Sequence, residues 1–228
     1  MLQPSQGYEI YLKSLNDNLP SQAVCDQEKR LIAAALEAFT KKGYIDATVQ
    51  DIVSIARASK STFYKYYDNK EAVLIRILHL LTDVLIEKVE HSLQAHPPTS
   101  KRTFYAIRAY IETCFLHREI TKLLMVDTVG VAPSLEKIRQ ELHQYFARIF
   151  HREISQALRN DQRIQHSDAW VLSYAMVGAV QQVIIQSLIV EVPPNPDHLA
   201  EVLETMLSRS LRKENSKKAK HPNLTNEH

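Results

Sequence analysis

The chain has 228 residues, enough for one large domain or a small domain joined to a larger one. Its 4 glycines and 9 prolines, the latter mostly outside the periodic stretches, exclude a turn-rich all-β fold and glycine-rich phosphate loops and point to an all-α chain. A formal net charge of +2 says nothing by itself about a nucleic-acid partner, and Cys25 and Cys114 are too isolated for a disulfide framework or a CxxC metal site, so a reducing, cytoplasmic setting is expected.

Residues 1–26 mix prolines, asparagines and scattered apolar side chains and read as an arm, with a short helix expected over Tyr8 to Leu15. From Gln27 to Lys42 the spacing predicts a helix with Leu31, Ile32, Ala35, Leu36 and Phe39 on one side. Lys41, Lys42 and Gly43 close it, with cations at the negative dipole end and a glycine beyond. Its expected partners are Ile52, Ile55, Phe63 and Tyr67.

The stretch from Thr48 to Glu71 carries the functional signal. Ile52, Val53 and Ala56 give a short helix its apolar stripe, and Ser59 then stands where the N-cap of a new helix is wanted. A break followed at once by a cap is a helix-turn-helix signature. The second helix, Ser59 to about Tyr66, is rich in Lys, Ser, Thr and Tyr, which suits phosphate and base-edge contacts better than a core. Lys60 and Lys65 can reach phosphate or guanine, and Ser61 and Thr62 are short enough to let the helix enter a major groove.

Arg30 to Phe39, Gly43-Tyr44, Thr48 to Ile52, Ala56 to Tyr64, Tyr67 and Lys70 to Leu74 together resemble the DNA-binding domain of the tetracycline repressor (TetR) family of bacterial regulators. The resemblance implies a helix-turn-helix domain over residues 27–75. It implies packing roles for Phe63 and Tyr67, a phosphate contact for Tyr64, and backbone clamps at Thr48 and Lys70 on either side of the capped reading helix at Ser59. One departure stands out: Arg57 occupies the turn position where the family usually has glycine, a strain of roughly 1 kcal/mol if φ is positive there.

A long helix is expected from Asp68 to Gln94, ended by His96-Pro97-Pro98, with the domain boundary inside it. Further helices are expected over about 101–118, 119–128 and 134–160. Ala169 to Val190 then runs 22 residues without a charge. Gln181, Gln182 and Gln186 make lipid exposure expensive, so a second copy of the chain is the expected cover. A last helix from Asp197 to Arg212 completes an effector-binding and dimerisation domain spanning 76–212, and a solvated basic tail follows over 213–228. The resemblance implies that the last two long helices pair with their symmetry mates, and the interface candidates are Ala175, Gly178, Ala179, Gln182, Ile185, Leu203 and Met206.

The resemblance also implies a ligand pocket among the central helices, with Tyr105, Tyr110, Cys114, His117, Met125 and Trp170 as candidates and a hydrophobic or amphipathic effector. His79, Asp83 and Glu87 fall at i, i+4 and i+8, which reads as an exposed polar face rather than a metal site. No nucleophile, phosphate-loop or metalloprotease motif occurs, so neither an enzyme nor a cofactor is expected. The expected protein is a homodimeric, ligand-responsive regulator of a double-stranded DNA operator, most often a repressor in that family. An activator, or a dimeric adaptor acting through protein contacts, is the alternative.

Overall fold

A computed structural model describes residues 26–97, 100–157, 166–190 and 194–211, and all regular structure among them is helical. The helices are α1 (Asp26–Lys42), α2 (Val49–Ala56), α3 (Lys60–Tyr66), α4 (Lys70–Ala95), α5 (Ser100–Leu116), α6 (Arg118–Lys122), α7 (Pro133–Ala157), α8 (His166–Ile189) and α9 (Pro196–Ser210). The expected arm helix over Tyr8 to Leu15 and the basic tail lie outside the described residues.

The first three helices form a small unit because their apolar stripes converge. Leu31, Ile32, Ala35 and Phe39 of α1 meet Ile52 and Val53 of α2 and Phe63 of α3, all fully or almost fully buried. Ile55 departs from expectation: it is 37 % exposed, since the face that α2 turns to α1 is the one carrying Ile52 and Ala56. Glu28 joins three helices, accepting from the Tyr67 hydroxyl at 2.9 Å and pairing with Arg76 at 3.7 Å.

Asn69 caps α4, its Oδ1 accepting from the Ala72 amide at 2.9 Å. The buried face of α4 runs unbroken from Val73 to Leu93, so the reading unit and the larger helical part share one contiguous core. Around it, α4 packs mainly on α5, α7 on α8, and α9 across α5. The expected helix over 119–128 is two pieces, α6 and a single π-turn over Leu123–Asp127. Thr128 Oγ1 donates to the Leu123 carbonyl at 2.6 Å and Arg139 donates to the carbonyls of Leu124 and Thr128 at 2.7 and 2.8 Å. These bonds tie the widened turn and the residue after it to α7.

By length and composition α8 is apolar enough to cross a membrane, but one side of it is packed inside the protein. Its C-terminal carbonyls at Ser187, Leu188 and Val190 accept from the Arg118 guanidinium, a cation at the negative helix end.

Candidate functional site

Local sequence sets the geometry of the helix-turn-helix. Thr48 opens α2 with a complete capping box: its hydroxyl accepts from the Asp51 amide at 3.2 Å, and the Asp51 carboxylate accepts from the Thr48 amide at 2.9 Å. Lys42 donates to the same carboxylate, and with Thr48 it lowers Asp51 to about 2, so the box is ionised and intact at any physiological pH. The chain leaves α2 through Arg57 at φ 50° and ψ 47°, a left-handed C-terminal turn whose amides at 57 and 58 return to Ser54 and Val53. Ser59 then caps α3 by accepting from the Thr62 amide at 3.0 Å.

Phe63 is fully buried and holds α3 to the core, with the Tyr67 ring 5.8 Å away. That fixes the opposite face outward. Lys60, Ser61, Tyr64 and Lys65 are exposed, and Tyr64 is 53 % exposed despite an edge contact with Phe63. Lys60 and Lys65 make no ion pair among the described residues. The hydroxyls of Ser59, Ser61 and Thr62 bond one another at 2.7 and 2.9 Å and form one polar cluster at the head of the helix. This face offers two cations without an ion pair among the described residues, a cluster of hydroxyls and a phenol, the inventory that phosphate and groove contacts use.

Lys70 is placed differently from the clamp the sequence suggests. Its ammonium donates to the carbonyls of Tyr44, Ile45 and Ala47 at 2.8, 2.7 and 2.9 Å and lies 4.8 Å from the centre of the Tyr44 ring. All three N–H groups are spent on the loop between α1 and α2, so the side chain braces that loop and has no donor left for phosphate.

Two spaces lie among the described residues of the larger part. An apolar cavity of about 30 Å³ is lined by Val89 and Leu93 of α4, Thr103, Ala106, Ile107 and Tyr110 of α5, Phe146, Ile149, Phe150 and Glu153 of α7, and Val177, Val180 and Gln181 of α8. An open cleft of about 610 Å³ lies between α7 and α8, lined by Leu124, Met125, Arg139, Gln140, His143, Gln144, Tyr174, Gln181 and Ile185 among others. Gln181 faces both.

Of the six effector candidates, the structure brings Tyr110 to the cavity and Met125 to the cleft. The other four line neither. Tyr105 stacks on His96 at 3.7 Å, and Trp170 stacks between His151 at 4.0 Å and Tyr174 at 5.9 Å. Cys114 is wholly buried, and burial pushes its thiol up so that it stays protonated. The lining from α7 and α8 escaped the sequence reading because apolar residues at helical spacing do not distinguish cavity wall from filled core.

Burial, with Lys88 nearby, lowers His117 to about 4 from an ordinary 6.5. The unfolded chain therefore takes up a proton as pH falls through 6.5, while the folded chain refuses it until about 4. Stability is expected to fall across that window, by up to about 3 kcal/mol from this group. Urea midpoints measured from pH 7 to pH 4 check this. A His117→Gln variant should flatten the slope, and an unchanged slope would exclude His117 as its source.

Ala175 and Gln182 of α8 and Met206 of α9 are exposed, Gly178, Ala179 and Ile185 are half-buried, and Leu203 turns into the chain's own core at 4 % exposure. Val171, Ala175, Gly178, Gln182, Ile185 and Ile189 follow a 4, 3, 4, 3, 4 spacing and so form one stripe. A Cβ added at Gly178 would meet nothing within 4 Å, so the glycine serves no close contact among the described residues.

Residues 31–77 match the model of a family described as bacterial regulatory proteins of the tetR family. The chain is 28 % identical over 127 residues to the HTH-type regulator YerO of Bacillus subtilis, a match covering 54 % of this chain and 42 % of that one, less than half of the relative's length. Two solved structures share the fold. The fatty acid degradation regulator FadR of Bacillus halodurans aligns with a TM-score of 0.72 at 15 % identity, covering 85 % of this chain and 100 % of that one. FadR of Bacillus subtilis in complex with stearoyl-CoA aligns with a TM-score of 0.65 at 16 % identity, covering 78 % and 96 %.

Proposed function

We propose that this chain, a member of the tetracycline repressor (TetR) family of bacterial regulators, is a DNA-binding transcriptional regulator that represses as a homodimer and is released from its operator by a small hydrophobic or amphipathic effector. One observation carries the reading: α3 is pinned by Phe63 on one side and presents Lys60, Tyr64 and Lys65 to solvent on the other. Lys60, Ser61, Thr62 and Tyr64 reach base edges and phosphates, Lys65 takes a phosphate, and the helix ends at Thr48 and Ser59 set the register.

A single seven-residue helix reads little sequence, and two copies about 34 Å apart would meet successive major-groove faces of a pseudo-palindrome. The stripe on α8, together with Val202 and Met206 of α9, is the surface that supplies the second copy. The stearoyl-CoA bound by the FadR neighbour supports an effector with a long apolar part, and the apolar cavity beside Tyr110 is where that part would lodge. Because the cavity of about 30 Å³ is far smaller than such a chain, binding must open α4, α5, α7 and α8 from one another. α4 begins at the reading unit and lines the cavity, and the Ser134 hydroxyl on α7 donates to Glu71 in its first turn, so that opening tilts α3 away from its groove. This activity places the protein with the DNA in the cytoplasm.

The test is a footprint of the purified chain on DNA flanking its own gene, with sedimentation at the same concentration. Two protected half-sites one helical turn apart, lost steeply as salt rises, are expected. A monomer with no salt-sensitive protection would sink the proposal and favour the adaptor reading.

A further inference from the structure

We propose that Arg57, in the turn between α2 and α3, is a DNA phosphate contact that the chain retains at the expense of a strained backbone; this rests on the DNA-binding reading above. Among the described residues the backbone enters the left-handed region at three places, Gly43 at φ 79°, Gly130 at φ 74° and Arg57 at φ 50°. At the first two the chain uses glycine, the residue that takes this conformation without a Cβ penalty. At the third it uses a long cation.

Nothing among the described residues explains that choice. The Arg57 backbone performs the left-handed turn, its amide returning to Ser54 and Val53, and glycine would do the same. If only a tolerant side chain were needed, asparagine or aspartate adopt the conformation more readily than arginine. The side chain is exposed, and among the described residues its guanidinium has no hydrogen bond, ion pair or ring contact. An always-charged fork with five donors is thus held out from the turn with no partner of its own.

Its place in the chain supplies the partner. Arg57 stands two residues before Ser59, so its Cα lies within about 7 Å of the cap that opens α3. Lys60 and Lys65, the other cations here without an ion pair among the described residues, belong to the same helix, and Asp51, the carboxylate of α2, is already taken by Lys42. A helix lying in the major groove is flanked by phosphates on both walls, and residues just outside its start meet the backbone rather than base edges. Arg57 therefore adds affinity and fixes the docking register, without reading sequence.

Three variants of the full chain separate charge from backbone. Arg57→Gly removes strain and charge, Arg57→Gln removes charge alone, and Arg57→Lys keeps a charge. Arg57→Gly is expected to raise the melting temperature by about 2–4 °C. Binding is measured to a mixed-sequence duplex a few helical turns long over a range of salt, so no operator need be known. Both Arg57→Gly and Arg57→Gln are expected to weaken it about fivefold and to lower the slope of log K against log salt by about one per contact, while Arg57→Lys keeps the slope. Wild-type affinity and slope in Arg57→Gln would overturn the contact while leaving the DNA-binding function standing. Absence of salt-dependent binding in the wild type would overturn both.

Discussion

Replacing Val171 and Ile189 by glutamate is expected to leave a folded, helical monomer that has lost specific operator binding by about a hundredfold or more. Both side chains are strongly exposed in the single chain, at 66 % and 65 %, so the exchange removes little intramolecular packing and should hardly move the urea midpoint of the isolated fold. In a dimer, however, each glutamate would sit on a stripe that faces its own copy, and burying unpaired carboxylates there is costly. Once the dimer is lost, the second half-site no longer binds at the raised effective concentration that a tethered copy provides. Sedimentation at micromolar concentration reads the first effect and a footprint the second. A variant that remains dimeric would place the interface on another surface.

Phe63→Ala is expected to have the largest effect of any single change in the reading unit. The ring is fully buried and is the only wholly enclosed side chain of α3, wedged near Tyr67 and within the cluster of Phe39 and Ile52. Truncation of a buried phenylalanine removes about 3–5 kcal/mol, a large part of the 5–15 kcal/mol that holds a typical domain together. Seven residues have no helical stability of their own, so α3 should detach and DNA binding disappear even under conditions where the larger part keeps its helices. Phe63→Leu, which keeps most of the volume, is the control and should retain binding with a loss below about 1.5 kcal/mol. Denaturation followed by circular dichroism alongside a gel-shift distinguishes the two. If Phe63→Ala kept the wild-type midpoint and affinity, Phe63 would not be the anchor of α3.

The helix-turn-helix was readable in the residues because its determinants are local. Thr48 with Asp51 and Ser59 with Thr62 each act within three residues along the chain and form caps that suit their identities, and the turn at Arg57 is equally local although glycine would suit it better. The resemblance implied that Phe63 and Tyr67 pack inside, and both are buried. Ile55 was misjudged for the opposite reason: both faces of a short helix carry apolar residues, and only the placement of α1 decides which is covered.

The amino-acid sequence by itself determined the all-helical architecture, the position of the reading helix, the charge-free α8 and the anomaly at Arg57, because caps, periodicity and backbone preference are properties of neighbouring residues. The tertiary structure alone decided what no spacing encodes. It turned the Lys70 ammonium onto three carbonyls from 23 to 26 residues away, put Leu203 inside and Met206 outside on one helix, and made Gln181 the wall between cavity and cleft. Those outcomes depend on which surfaces meet when distant helices pack, and packing selects among apolar and long polar side chains that look alike in one dimension.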